Sequence, residues 1–396
     1  MTRAILAGAL LALLLLAYLT GIRAAYVLGY ALSLLFLVAW IWTWLAARAV
    51  RVERDVRQGT PTVGEPFDEA FTVRRGGVLP APWVEVTDRS GIPGYQPGRI
   101  VSVGRQVVTW SARGTYRRRG WMTFGRTTVR VREPFGLFSA EARLPERHRV
   151  LVRPRVEPIP ELLLPAAHHT GLAERMGSWA DYPPETGGVR EYQPGDAYGR
   201  IHWPLSHKHG RLMSKTFEQP LTADLWLVLD LDRRAHWGEG DQSTVDCAVG
   251  LAASVADQVL SRGRKVGLVA NDSRGTVLDL ATDRRGEAAI LDYLAVAEAT
   301  GVRALGEARI WDRIRRLDRR AVVVITPSPD PGWVLNARAL RGRGGALIVF
   351  YIDAASFGAP ETELGFDLGA DVELYVVRRG DVFGRLVRTR DAIRLD

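Results

Sequence analysis

Three imidazoles fall close together in the stretch Gly187–Pro220, "GGVREYQPGDAYGRIHWPLSHKHGRLMSKTFEQP": His202, His207 and His209. Three nitrogens suit a catalytic zinc, and His168 and His169 lie upstream. Their spacing matches no helix-face pattern of the His-Glu-x-x-His kind, so they read as solvent-facing side chains. A second set carries oxygen. Asp230 and Asp232 end the run "DLWLVLDLD", and Thr326, Ser328 and Asp330 end "AVVVITPSPD". These groups could hold Mg²⁺, a hard cation that needs several oxygen ligands, or Arg233 and Arg234 could neutralise the two carboxylates instead. No nucleophile stands beside an evident base: there is no Gly-x-Ser-x-Gly elbow, no phosphate loop and no dinucleotide fingerprint. The single cysteine, Cys247, lies in a helical pattern with an apolar face, where an inert buried thiol is the default. One cysteine also permits no internal disulfide and no cysteine-based zinc cluster. These residues read as a binding protein rather than an enzyme.

The elements that must position these groups can be read around them. From Ala223 onward strand and helix patterns alternate: "DLWLVLDLD", "KVGLVAND", "AVVVITP", "ALIVFYID" and "VELYVVRRG" are apolar runs of strand length, and "STVDCAVGLAASVADQVLSRG" has helical period. Ser243 or Thr244 is placed to cap that helix and Gly263 to stop it. This is an α/β domain with a mostly parallel sheet, whose ligands gather at the carboxyl ends of the strands. Before it, "QPGD" is a turn in which Pro194 sets φ, Gly195 permits a positive φ and Asp196 can cap the next turn. "DAYGRIHW" then fits a short helical turn begun by Asp196. Ile201 and Trp203 are expected to pin this segment on the core, with Arg190 and Glu191 available for ion pairs. The stretch reads as a structural clasp with a further role in contacting partners.

Between about Val50 and Arg153 short runs alternate apolar with polar and are cut by Gly and Pro, the pattern of a small sandwich or barrel. Its arginines are expected on the solvated face. "VRPRVEPIPELLLP" is an extended connector. At the amino terminus two apolar runs, Ala4–Thr20 and Tyr26–Ala47, each approach the length needed to cross a hydrocarbon core of roughly 30 Å. Trp40, Trp42 and Trp44 fit an interfacial aromatic belt. Arg3 precedes the first run and Arg48, Arg51, Arg54 and Arg57 follow the second, while the turn between holds only Arg23, so both ends are expected in the cytoplasm. The expected organisation is a transmembrane hairpin in 1–48, a β-rich domain in 49–153, a linker in 154–186 and the α/β domain in 187–396. The net charge of +9 is carried by arginines spread over the whole chain and only three lysines. A nucleic-acid partner would call for a patch or stripe, and none is expected.

Together these features resemble the domain of unknown function 58 family. The resemblance rests on "REYQPGD" (Arg190, Glu191, Tyr192, Gln193, Pro194, Gly195, Asp196), on "GRIHW" with Arg200, Ile201, His202 and Trp203, and on "LMSKTFE" before the first sheet strand. "ARGTY" (Ala112–Tyr116) and "REPFGLF" (Arg132–Phe138) also look like the family, with Glu133 where an Asp is more usual; Ala197 and Pro204 depart from it. It implies a paired membrane helix, a β-rich segment and a von Willebrand factor A-like domain. Such domains often bind a divalent cation through Asp-x-Ser-x-Ser, and here Asp230-Leu231-Asp232-Arg233-Arg234 lacks both serines. The family looks like a partner of MoxR-type AAA+ ATPases, often beside transglutaminase-like membrane proteins. The expectation is therefore a bacterial inner-membrane adaptor with cytoplasmic domains and no certain cofactor. The rival readings are a Mg²⁺-dependent binder or hydrolase centred on Asp230 and Asp232, and a basic lipid- or nucleic-acid-binding protein.

Overall fold

The computed structural model describes residues 2–389 except 57–58, 78–80, 104–106, 126, 145–147, 161–185, 194–200, 218–224, 282, 309, 315–320, 342–345, 363–367 and 369–371. It divides into two units, Met1–Arg155 with Leu291–Ala297, and Val156–Ile290 with Glu298–Asp396.

The first unit opens with helices α1 (Thr2–Thr20) and α2 (Arg23–Ala49). Gly29 lets them approach closely, since a Cβ there would meet Leu14 Cδ2 at 2.5 Å. By length and composition, Arg23–Ala49 is apolar enough to cross a membrane, with a mean hydropathy of 2.1, whereas the earlier apolar stretch is shorter, Ala7–Thr20. Two spans were expected; one helix among the described residues meets the requirement. The chain passes from Ala49 directly into β1 (Val50–Val56). This strand joins β2 (Pro66–Arg75) and β5 (Val107–Thr115) in an antiparallel sheet ordered β1-β2-β5. A second sheet runs β4-β3-β7-β8, from Arg99–Val103, Ala81–Thr87, Thr128–Arg132 and Ser139–Arg143. Alternation along each strand sends Phe71, Val73, Val84, Val86, Val103, Val129 and Val131 inward. Ala46 of α2 belongs to the same core, with Trp42 packed against it. A smaller pair, β6 (Gly120–Phe124) and β9 (His148–Val152), adds Phe124 and Val152 to a neighbouring cluster.

That interior also holds charge. The Arg54 side chain, 3% exposed, is ion-paired with Glu69 and lies 3.3 Å from Asp88. Tyr95 donates to Glu69 at 2.6 Å and Thr127 to Asp88 at 2.6 Å, while the Phe71 and Phe124 rings flank the guanidinium. Burial pushes the Arg54 pKa below its ordinary value, against the opposing pull of Asp88 and Tyr95. Arg54 is therefore no membrane-flank charge and no solvated strand arginine; both expectations are corrected by its burial. Removing one partner strands the others: Arg54→Met is expected to cost about 3–5 kcal/mol in urea unfolding. Neutralising the exposed Arg74–Glu53 pair, 3.2 Å apart, should cost less than about 1 kcal/mol. Equal and small effects would remove the buried cluster as a source of stability.

In the second unit, β10 (Thr186–Glu191) and β11 (Met213–Phe217) pair antiparallel, with α3 (Trp203–His209) between them in sequence. The main sheet has the order β14-β13-β12-β15-β16-β17-β18. Its parallel strands are β12 (Leu225–Leu229), β13 (Val266–Ala270), β15 (Ala321–Thr326), β16 (Ala346–Ile352) and β17 (Glu373–Val377). The edges, β14 (Val277–Ala281) and β18 (Arg388–Thr389), are antiparallel. β12, β13 and β15 are buried at every position, which unbroken runs of Leu, Val and Ile permit only when both faces are covered. One face packs Trp226, Val228, Val324 and Val349 against Trp311 and Trp333. The helices are α4 (Thr244–Leu260), the part of α5 (Arg284–Val296) up to Ile290, α6 (Ile310–Ile314) and α7 (Gly332–Arg341). Ser243 caps α4 by accepting from the Asp246 N–H at 3.2 Å.

Candidate functional site

In chain order the parallel strands run second, first, third, fourth, fifth across the sheet, so the winding reverses between β12 and β15. The gap outside the carboxyl ends of such a strand pair is where open α/β sheets take ligands. Asp230 and Thr326 occupy it. Asp230 is fully buried, and Thr326 donates to its Oδ2 at 2.6 Å. The backbone N–H of Asp232 donates to Oδ1 at 3.1 Å, and Asn271 Nδ2 approaches the same oxygen at 3.4 Å. Burial pushes the Asp230 pKa above the usual carboxylate range; the hydrogen bonds from Thr326, Asp232 and Asn271 and the nearby His236 oppose it.

Asp232 is held otherwise. Arg234 clamps it with Nη2 at 2.8 Å from Oδ2 and Nε at 3.1 Å from Oδ1. Arg234, one of the two arginines expected to neutralise the pair, thus reaches Asp232, while Asp230 is met by neutral donors. Ser328 and Asp330 continue the loop after β15, where the Ser328 N–H donates to Thr326 Oγ1 at 3.0 Å. Among the described residues no group of three or more His, Cys, Asp or Glu gathers as a metal cluster. With Asp232 clamped and Asp230 receiving Thr326, this donor set does not complete the shell of a hard divalent cation.

The loop after Asp232 is fixed by polar side chains that sequence reasoning passed over. His236 Nε2 lies 2.9 Å from the Asp230 carbonyl and must donate to it, which leaves Nδ1 facing the Thr244 hydroxyl at 2.9 Å. Thr244 also receives the Trp237 N–H at 2.9 Å and donates its own N–H to the Trp237 carbonyl at 2.9 Å. Trp237 is thereby presented at the strand ends with 42% of its surface exposed. Gly301 closes the other side: a Cβ there would stand 2.2 Å from the Asn271 carbonyl oxygen, so only glycine fits. Its backbone bonds to Leu231 and Arg233 at 2.8 and 3.0 Å. Applying the strand-end rule to β13 as well as β12 and β15 would have found Asn271. Beside it opens a cleft of about 530 Å³ lined by Asn271, Arg274, Val302 and Arg303, among others.

The signature segment is described on either side of its turn. Pro194, Gly195, Asp196 and Arg200 lie outside the described residues. Arg190 and Glu191 are in β10, paired in register with Ser214 and Met213, and Tyr192 donates its N–H to Leu212 at 2.8 Å. Glu191 makes an exposed ion pair with Arg211 at 3.5 Å. Ile201 is buried and bridges Ser214. The helix begins at Trp203, and His202 caps it, accepting from the Leu205 N–H at 3.2 Å through Nδ1. His207 and His209 fall in the last turn of α3, ahead of Gly210 in the left-handed region. Buried Ser206 joins the pieces, donating to the His202 carbonyl at 3.0 Å and accepting from the Met213 N–H at 2.9 Å. Trp203 is 64% exposed, which overturns its expected part as a buried pin. Ile201 and Ser206 hold the clasp, and the indole faces out.

Burial pushes the Cys247 thiol pKa up to about 12.

Residues 188–362 match the family described as "protein of unknown function DUF58". An uncharacterised protein of Mycobacterium tuberculosis is 28% identical over 219 residues, which are 53% of this chain and 65% of that protein. The match thus spans less than two thirds of the relative's length. The uncharacterised protein YeaD of Bacillus subtilis is 28% identical over 109 residues, 28% of this chain and 25% of that one. Among solved structures, the CARDB domain of the PF1109 protein of Pyrococcus furiosus, in complex with di-metal ions, is 17% identical and covers 26% of this chain and 91% of its own. Its TM-score of 0.20 is too low to inform the fold.

Two stability tests follow from the site. Trp203→Ala should leave the thermal unfolding free energy within about 0.5 kcal/mol of wild type. Ser206→Ala should cost about 1–3 kcal/mol, because it strips partners from buried backbone groups; the reverse order would restore the indole as the pin. Thr326→Val is expected to cost a similar amount, and its deficit should be larger at pH 8 than at pH 4. The Thr326 hydroxyl favours the ionised Asp230. Without it the folded-state pKa rises further, and the stability lost as pH climbs through that value increases. A pH-independent deficit would contradict this reading of the hydrogen bond.

Proposed function

From that family match we propose that the chain is a membrane-anchored adaptor, held by α2 and binding protein partners through the strand-end loops of its α/β unit. Arg48 in the last turn of α2 and Arg51 just beyond it favour a cytoplasmic location for the chain beyond that helix under the positive-inside rule. We take α1, packed on α2 at Gly29, as its companion in the anchor. The doubly wound sheet is read as von Willebrand factor A-like, and the partner class as a MoxR-type AAA+ ATPase. Both readings rest on resemblance.

The observation that carries the binding role is the loop Asp232–Ser243. Its backbone is tied down by Asp230, His236 and Thr244, yet it presents the Trp237 ring to solvent. An aromatic on a pre-ordered loop loses little conformational entropy when it docks, and tryptophan is enriched among residues that dominate binding energy. The exposed Trp203 on its clasp is a second anchor of the same kind. The metal-dependent alternative requires Arg234 to release Asp232 first.

Affinity capture of the detergent-solubilised full chain from native membranes, followed by mass spectrometry, tests the proposal. An AAA+ ATPase should be retained by wild type and lost with Trp237→Ala. Retention of the same proteins by both would overturn the assignment to this loop. Heat evolved on Mg²⁺ titration and abolished by Asp230→Asn would favour the metal reading instead.

A further inference from the structure

The loop Glu133–Phe138, between β7 and β8, packs against α2 rather than remaining with the strands it joins. Phe138 meets Phe36 edge-on, with ring centroids 6.0 Å apart and planes at 87°. Glu133 is buried, and its carboxylate accepts the backbone N–H groups of Phe135 and Phe138, the latter at 2.9 Å. Those bonds shape the turn from within, and Phe135 is left 63% exposed at its tip. Between the tip and the helix lies a groove of about 470 Å³, lined by Ala31, Leu34, Leu35 and Val38 on one side and by Pro134 and Phe135 on the other.

The height of this groove follows from its neighbours. Beyond Phe138, strand β8 carries exposed Glu141, paired with Arg130, and exposed Arg143. Exposed charges of this kind require water. On α2, the face that meets the β core comprises Ala39, Thr43 and Ala46, while Leu34, Leu37 and Val38 are 61%, 51% and 45% exposed. Trp40 and Trp44 are exposed just below, and the Arg48 guanidinium stacks 3.7 Å over the Trp44 ring, the arrangement of an interfacial belt. From Trp44 back to Val38 is about 9 Å of helix, and to Leu34 about 15 Å. The tip thus stands where α2 leaves the belt and enters the apolar medium that its exposed leucines demand.

The geometry points to a membrane-inserted tip: Pro134 and Phe135 enter the leaflet beside α2, and the groove between them takes a lipid acyl chain. The inference rests on α2 being the anchor. Continuity names the occupant, because the helical wall of the groove is part of the same apolar surface that faces the hydrocarbon. The β-rich unit is then attached to the bilayer at two points, a helix and a loop, and its orientation to the surface is set.

Nitroxide accessibility tests the inference in the full chain, reconstituted in phosphatidylethanolamine–phosphatidylglycerol vesicles. In a Cys247→Ser background, single labels replace Leu34, Phe135 and Glu141. The label at 135 should collide with dissolved oxygen in preference to a water-soluble nickel chelate, as at 34, and the label at 141 should show the opposite preference. Water access at 135 with lipid access at 34 would overturn the inserted tip while leaving the anchor standing. Water access at both would overturn the anchor and the tip together. Protection of 135 from both reagents would put a protein, such as a second copy, in the groove and overturn the lipid assignment.

Discussion

The hydrogen bond from Thr326 to Asp230 ties together the ends of neighbouring strands at the place where the winding of the sheet reverses. A carboxylate in an apolar interior is tolerated only when its oxygens are met, and here they are met by Thr326, by the Asp232 backbone and by Asn271. Each donor comes from a different segment, so satisfying one side chain sets three loops. The same residue reaches further through its backbone, because its carbonyl receives His236, and His236 with Thr244 sets the position of Trp237. The exposed indole is thus held by a chain of bonds that begins at a buried acid.

The two units treat buried charge in different ways. In the β-rich unit Arg54 is surrounded by two carboxylates and two aromatic rings, so charge is balanced by opposite charge within the core. In the α/β unit Asp230 has neutral donors around it, and the arginine of the loop goes to Asp232 instead. The first arrangement pins strands to one another. The second ties the loops at the strand ends to one another.

How far the sequence discloses this varies with the kind of signal. Runs such as "LWLVL" and "AVVVIT" are unbroken and apolar, so their strands and the polar residues that end them could be read directly; hence Asp230, Asp232, Thr326 and Ser328 were all singled out. His236, Trp237 and Gly301 were not, because their roles arise from segments distant in the chain meeting at one edge. Arg54 is instructive. In "VRVERDV" it shares its phase with Val50, Val52 and Val56, so the period of a strand already turns it inward; counting it as a flanking charge ignored that phase. That His202 caps α3 was not anticipated, for a compositional reason. Asp is a common N-cap and His is not, yet the ring nitrogen of His202 takes the part, and Trp203, one position on, points away from the core.

Between Ala49 and Val50 helix becomes strand without an intervening loop, and the last two turns of α2 are packed into the β core through Ala46 and Trp42. Such a joint has no hinge. If α2 spans a bilayer as proposed, a thickness that changes its tilt swings the attached sheets by the same angle, and a twist about the helix axis turns them as a crank turns its arm. Under the proposed anchoring, the amino-terminal rod would be a lever as well as a tether for the sheets it joins.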